Sequence, residues 1–329
     1  MRIVALEEHF VTPMLVDAWG KLAGGEREDA LGQMQPPDIH RRLFDLADER
    51  LAIMDDSGVD TQILSLTTPG PQNLPADVAL AVARDANDML AEVVRQRPDR
   101  FGGFAALATP DPQAAADELE RAVTELGLDG AILNGRTGTR NIDHADFDPI
   151  YATAGRLRAP IYLHPQLPTQ PVRDQLYSGL GGQVSQMAGQ AASGWHYETG
   201  VQLLRLILSG TFDRHQDLQV IVGHWGEMML FYLDRLAMLD KVARLKRPVI
   251  DYFRDHVSIT GSGIWSQRYL GWTKEVLGVE RILFATDYPY IQAPGGQARA
   301  FLQAADLTDD ERALVAHGNW DRIRAAIRR

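Results

Sequence analysis

Short apolar runs rich in β-branched residues recur along the whole chain, and segments with helical periodicity lie between most of them. The runs are Ile3–Leu6, Thr61–Leu66, Phe101–Leu107, Gly130–Leu133, Pro160–Leu163, Gln219–Val222, Val257–Thr260 and Arg281–Ala285. The helical stretch after Phe101–Leu107 is the clearest. Asp111 can cap it, Pro112 suits its first position, and Ala115, Leu119, Ala122, Val123 and Leu126 make one apolar stripe before Gly127 ends it. Ala83, Ala86, Leu90, Val93 and Val94 make another stripe, closed by Pro98, and Thr308 and Glu311 have capping-box spacing. Eight strands alternating with helices over 329 residues predict an α/β fold that most economically closes into a (β/α)8 TIM barrel. An open doubly wound sheet usually carries a glycine-rich phosphate loop after its first strand; here Glu7-Glu8-His9 stands in that place. No linker rich in Pro, Gly or Ser divides the chain, so residues 1–329 are expected to form a single domain.

One region breaks the rhythm. Between Pro165 and Trp195 lies a segment rich in Gln, Gly, Ser and Pro without clear periodicity. It reads as a long loop insertion after strand five, hanging over the mouth of a barrel as a lid or pocket wall. A similar excursion, Gly20 to Pro37, follows strand one.

Thirty-three Lys and Arg against 44 Asp and Glu give a net charge of -11, which disfavours nucleic acid and anionic lipid as partners. No apolar run approaches the ~20 residues a membrane helix needs. The opening residues reach charge too early for a signal peptide, so a cytoplasmic protein is expected. The absence of cysteine excludes a thiol nucleophile, a thiolate metal site and any disulfide. A bound metal must therefore use nitrogen and oxygen ligands.

Such ligands fall where a barrel enzyme places its chemistry, at the C-terminal ends of strands. Strand one ends in Glu7-Glu8-His9, strand five in His164, strand six in Gly223-His224-Trp225-Gly226-Glu227, and strand eight in Asp287. Alternation along a strand points Glu7 and His9 the same way and Glu8 the other. Histidine and carboxylate suit a divalent ion such as Zn2+ or Mn2+. Of the remaining histidines, His40, His144, His215, His256 and His317 read as solvated or capping residues. His196 is set apart, because with Trp195 it closes the suspected lid.

The opening Ala5-Leu6-Glu7-Glu8-His9-Phe10 resembles the amidohydrolase-superfamily branch that contains aminocarboxymuconate semialdehyde decarboxylase. Within it the chain looks most like the γ-resorcylate and 2,3-dihydroxybenzoate decarboxylases. Arg97-Pro98-Asp99-Arg100-Phe101, Tyr162-Leu163-His164-Pro165, Leu208-Ser209-Gly210-Thr211-Phe212-Asp213, Gly223-His224-Trp225-Gly226-Glu227 and Phe284-Ala285-Thr286-Asp287-Tyr288-Pro289 carry the resemblance along the chain. It implies a barrel of the metal-dependent hydrolase type and metal ligands Glu7, His9, His164 and Asp287. It also implies His224 with Glu227 as an acid/base pair behind them. Departures occur at Thr260-Gly261-Ser262, where a Ser-Gly-Asn-type segment is common, at Arg136 after Asn134-Gly135, and at Tyr288 in place of a frequent Trp.

The resemblance implies a metal-dependent, non-oxidative decarboxylase acting on a hydroxybenzoate-like small carboxylic acid. Asp287 is the expected proton donor to the carbon bearing the carboxylate, with its protonation set by His224 and Glu227. Asn134, Arg136, Trp195, Trp225 and Tyr288 are candidate substrate contacts, with Trp265 a further aromatic wall. The alternative is a hydrolase of a lactone, ester or amide, in which Asp287 would serve as base. A third reading is a binding barrel without catalysis. A homodimer or homotetramer is implied by the resemblance alone.

Overall fold

The computed structural model describes residues 1–32, 34 and 36–329. Nine strand segments lie in one all-parallel sheet: β1 (Val4–Phe10), β2 (Thr61–Leu66), β3 (Phe101–Gly103), β4 (Ala105–Ala106), β5 (Ala131–Leu133), β6 (Ile161–Leu163), β7 (Val220–Val222), β8 (Val257–Thr260) and β9 (Ile282–Ala285). Their order is β3-β2-β1-β9-β8-β7-β6-β5-β4. The two ends of that order, β3 and β4, are separated in the chain by Phe104 alone. The amide of Phe104 donates to Leu64 on β2, and that of Ala105 donates to Gly130 beside β5 (both 2.8 Å). One strand thus hands its hydrogen bonds from one neighbour to the other, and the sheet closes on itself. The eight expected runs are the eight staves of this barrel, the third one split.

Val4, Leu6, Ile63, Phe104, Ile132, Tyr162, Ile221, Leu283 and Ala285 fill the barrel interior. Burying each such side chain is worth roughly 1.5–3 kcal/mol. Trp320, from the C-terminal helix Asn319–Ala325, plugs this cluster edge-on against Phe104, with ring centroids 5.6 Å apart. The outer helices bury the stripes read from the sequence. Helix Ala76–Gln96 turns Ala79, Ala83, Ala86 and Leu90 inward, and Asp111 caps helix Pro112–Thr124 by accepting from the Ala114 amide. Thr308 and Glu311 form the expected capping box.

The expected long loop after strand five needs correction. Residues 165–195 carry two short helices, Gln170–Leu176 and Gly182–Gly189, before the longer helix Gly194–Leu208. The first buries no residue at all, so it leaves no apolar periodicity to read. The excursion after β1 contains helix Gly24–Gly32. The two excursions are tied together by Arg173, whose guanidinium donates to both oxygens of Asp29 at 2.8 and 2.7 Å. Among the described residues, no helix is long and apolar enough to cross a membrane.

Candidate metal centre

Strand β1 positions two of the four expected ligands, and does so by breaking its own alternation. Val4 and Leu6 point into the barrel, so strict alternation would send Glu8 inward and Glu7 out. The pairing with β2 slips between Ala5 and Glu8, and Glu7 sits at φ 63°. This bulge inserts one residue and reverses the faces beyond it. Glu7 and His9 turn inward together. Glu8 turns away, accepting from Gln62 Nε2 (2.9 Å), the Thr286 amide (2.8 Å) and Thr286 Oγ1 (2.6 Å). Burial pushes the Glu8 carboxyl up to about 8 against the pull of those donors.

One donor atom from each of Glu7, His9, His164 and Asp287 lies within 4.8 Å of all the others. His164 Nε2 is 3.4 Å from Glu7 Oε1, and His9 Nε2 is 3.3 Å from Asp287 Oδ1. Ligands held at ~2.0–2.2 Å from one ion have separations of this order. Glu7 Oε1 and His9 Nε2 are buried without a hydrogen-bond partner. Two orphaned polar atoms facing the same point are costly unless a cation shares them, so these residues fit a divalent ion.

The surroundings fix each ligand. His164 Nδ1 donates to the Pro165 carbonyl (2.9 Å), leaving Nε2 free to ligate. Burial and the neighbouring His9 hold this imidazole well below its ordinary pKa, in the neutral form a metal requires. Glu7 Oε2 accepts from the Tyr162 and Ser262 hydroxyls, and Thr260 Oγ1 lies 2.7 Å from the Tyr162 hydroxyl. A Cβ on Gly223 would come within 2.6 Å of Ser262 Oγ and 2.8 Å of a Glu7 carboxylate oxygen, so only glycine fits there.

Behind the four ligands, His224 Nδ1 meets Glu227 Oε1 at 2.8 Å and His224 Nε2 faces Asp287 Oδ2 at 3.9 Å. Burial lowers the His224 pKa, but Glu227 and Glu7 more than reverse this and hold it well above the ordinary histidine value. Burial raises Asp287, yet the neighbouring His224 and His9 imidazoles outweigh it and keep the carboxyl below its usual range. Glu7, His224, Glu227 and Asp287 all occupy the left-handed region, at φ 63°, 49°, 52° and 63°. Non-glycine residues persist there only where the surrounding structure over-determines them.

The other residues singled out from sequence are placed as follows. Arg136 borders a cavity of about 450 Å³ between the two excursions and the rim. Its Nη1 donates to Gln166 Oε1, the Leu167 carbonyl and Glu198 Oε1 (3.0, 3.0 and 3.2 Å). Trp225 and His224 border a second cavity of about 630 Å³, with Phe231, Tyr232 and Trp272. Asn134, Trp195 and Tyr288 border neither. The backbone N–H of Asn134 donates to Gln72 Oε1, and its side-chain Oδ1 is without a partner. Trp195 donates to His196 Nε2 (3.1 Å), and the Tyr288 ring lies 4.6 Å under the Arg50 guanidinium. Trp265 packs against Phe284 and Phe301. His196 turns inward to Glu227 Oε2 at 2.8 Å. Sequence reasoning missed Tyr162 and the role of Ser262. The available signals were that Tyr162 precedes His164 by two residues on one strand, and that Thr260-Gly261-Ser262 departs from the common pattern.

The chain is similar to known proteins over nearly its whole length. The sequence profile of the family described as Amidohydrolase matches residues 16–322. The γ-resorcylate decarboxylase of Rhodococcus jostii (strain RHA1) is 37% identical, with 96% of each chain covered. The crystal structure of 5-carboxyvanillate decarboxylase from Sphingomonas paucimobilis superposes with a TM-score of 0.90 at 35% identity, covering 98% of this chain and 99% of that one. A dihydroxybenzoic acid decarboxylase from Polaromonas sp. JS666, solved with bound manganese and the inhibitor 2-nitroresorcinol, has a TM-score of 0.86 at 33% identity, covering 98% and 97%. By sequence and fold, this chain belongs to the amidohydrolase family.

Proposed function

We propose that the protein is a metal-dependent, non-oxidative decarboxylase of a hydroxybenzoate-like carboxylic acid. The observation that carries this reading is the four-residue ligand group with an acid/base pair directly behind it. It is supported by decarboxylase relatives that align over nearly the whole chain. Glu7, His9, His164 and Asp287 would hold one divalent ion. Manganese is favoured over zinc because the Polaromonas structure carries it. When bound, the ion orients the substrate carboxylate and its neighbouring oxygen and offsets their charge.

Asp287 delivers a proton to the ring carbon that bears the carboxylate. The carbon–carbon bond then breaks, its electron pair returns to the ring, and CO2 leaves. Asp287 ends the cycle one proton short; His224 resupplies it through Nε2 while Glu227 holds Nδ1, and His224 then takes its own proton from solvent water. Trp225 forms an apolar wall, and Arg136, whose bonds converge on one nitrogen, meets a substrate anion. A homodimer or dimer of dimers belongs to the same reading, supported by the exposed Phe231, Tyr232, Met238 and Val242. Sedimentation velocity tests that assembly.

The direct test is to load the protein with Mn2+ and incubate it with 2,6-dihydroxybenzoate and salicylate, measuring CO2. Lactones, esters and amides are run beside them, measuring acid release. CO2 from a hydroxybenzoate is the expected result. Acid release without CO2 would replace decarboxylation with the hydrolase alternative.

A further inference from the structure

Glu227 is held from two directions, and only one of them belongs to the acid/base pair. Its Oε1 takes His224 Nδ1 and its Oε2 takes His196 Nδ1, each at 2.8 Å. The carboxylate is fully buried, so each oxygen has one imidazole as its nitrogen partner and no water to replace it. His196 lies at the start of helix Gly194–Leu208. One turn later on the same face stands Gly200, where a Cβ would overlap the Glu227 carbonyl oxygen. The same helix face therefore meets Glu227 twice, through a side chain that binds its carboxylate and through a glycine that lets its backbone approach. Glu227 is among the residues held in the left-handed region, and this contact is what a strained conformation requires to persist. The far nitrogen of His196 lies 2.8 Å from the Ala191 carbonyl oxygen and 3.1 Å from the Trp195 indole nitrogen. Both partners belong to the 165–195 segment.

We propose that His196 is a positioning residue. With Gly200 it clamps Glu227 so that Glu227 fixes His224 in line with Asp287, and it ties the orientation of that pair to the docking of the 165–195 segment. His196, His224 and Glu227 also make a grouping of metal-ligand type. The short His–Glu contacts use the inward nitrogen of each ring and both carboxylate oxygens, so the grouping is a hydrogen-bonded clamp and not a second ion site. This proposal rests on the acid/base role given to His224 above.

Two variants test it in the metal-loaded protein. His196→Leu removes the donor, while His196→Asn places an amide N–H where Nδ1 stood. A hydrogen bond to a buried charge converts to a loss of about 10–100-fold. His196→Leu should therefore lose about that much in kcat on 2,6-dihydroxybenzoate, with KM within about twofold and ion stoichiometry unchanged, and His196→Asn should recover most of it. A second measurement needs no turnover. In protein labelled with 15N-histidine, the His224 Nδ1–H signal should be present in wild type and His196→Asn and lost or broadened in His196→Leu, with His224→Gln assigning it. An unchanged kcat and an unchanged signal in folded His196→Leu would overturn the proposal. So would equal damage in both variants. If no hydroxybenzoate releases CO2 from wild type, the decarboxylase reading fails while the resonance still decides the clamp.

Discussion

Replacing Tyr162 by Phe removes one hydroxyl from the wall of the barrel and leaves its shape intact. That hydroxyl donates to Glu7 Oε2, and both residues are fully buried. Burial pushes the Glu7 carboxyl above its ordinary value, so a proton competes with any ion for this ligand. A donor to Oε2 favours the charged form and so favours the ion. A hydrogen bond to a buried charge is worth about 1.5–3 kcal/mol. Ser262 remains as a second donor to the same oxygen, so about half of that should be lost, ~0.75–1.5 kcal/mol. The expected result is ion binding weaker by about 3–12-fold. The assay is competition for Mn2+ against a chelating dye at fixed pH, with circular dichroism to confirm the fold. The sign also fixes a pH trend. The wild-type affinity should fall as pH falls through the raised Glu7 value, and the deficit of Tyr162→Phe should widen in the same direction. An affinity within twofold of wild type, or a tighter one, would refute the view that the hydroxyl tunes the ligand.

Other substitutions probe the remaining parts. Asp287→Asn should leave a folded protein without measurable turnover, and full activity would remove Asp287 from the proton path. His164→Ala should lower the metal content found by elemental analysis, whereas an unchanged stoichiometry would mean that the ligand set is wrong. Arg173→Met cuts the tie between the two excursions; KM should rise severalfold with Tm shifted by no more than about 2 °C, because partly exposed ion pairs contribute about 0–1 kcal/mol. His256 is held below the ordinary histidine value by burial, with Leu218 taking its Nδ1–H. The folded state then binds fewer protons than the unfolded chain below about pH 6.5. Stability is full above that pH and falls as pH drops toward the depressed value, so His256→Gln should flatten the acid side of a Tm-against-pH curve.

The barrel and the four residues of its candidate metal group were legible because they rest on local physics. Alternation of strand and helix is written into each run and stripe, and every run became a stave. His164 and Asp287 follow the ends of β6 and β9, and Glu7 and His9 lie within β1, where the barrel gathers side chains from distant parts of the chain. The short helices after β6 were not legible, since a helix that buries nothing carries no stripe. Nor was the placement of Asn134, Trp195 and Tyr288, whose directions depend on partners such as Gln72, His196 and Arg50.

The amino-acid order by itself determined which residue types reach the rim, and so that nitrogen and oxygen, never sulfur, must hold an ion. Which residues of β1 face the candidate ion site was decided only in three dimensions. The bulge at Glu7 turns Glu7 and His9 inward and Glu8 out. Its backbone conformation is unfavourable alone and is held by the Tyr162 and Ser262 hydroxyls, 155 and 255 residues away in the chain. His196 reaches Glu227 in the same way, through the packing of a helix whose own sequence names no partner. Local propensity sets the elements, but strained backbones and buried charges are stabilised by contacts that exist only once the barrel has closed.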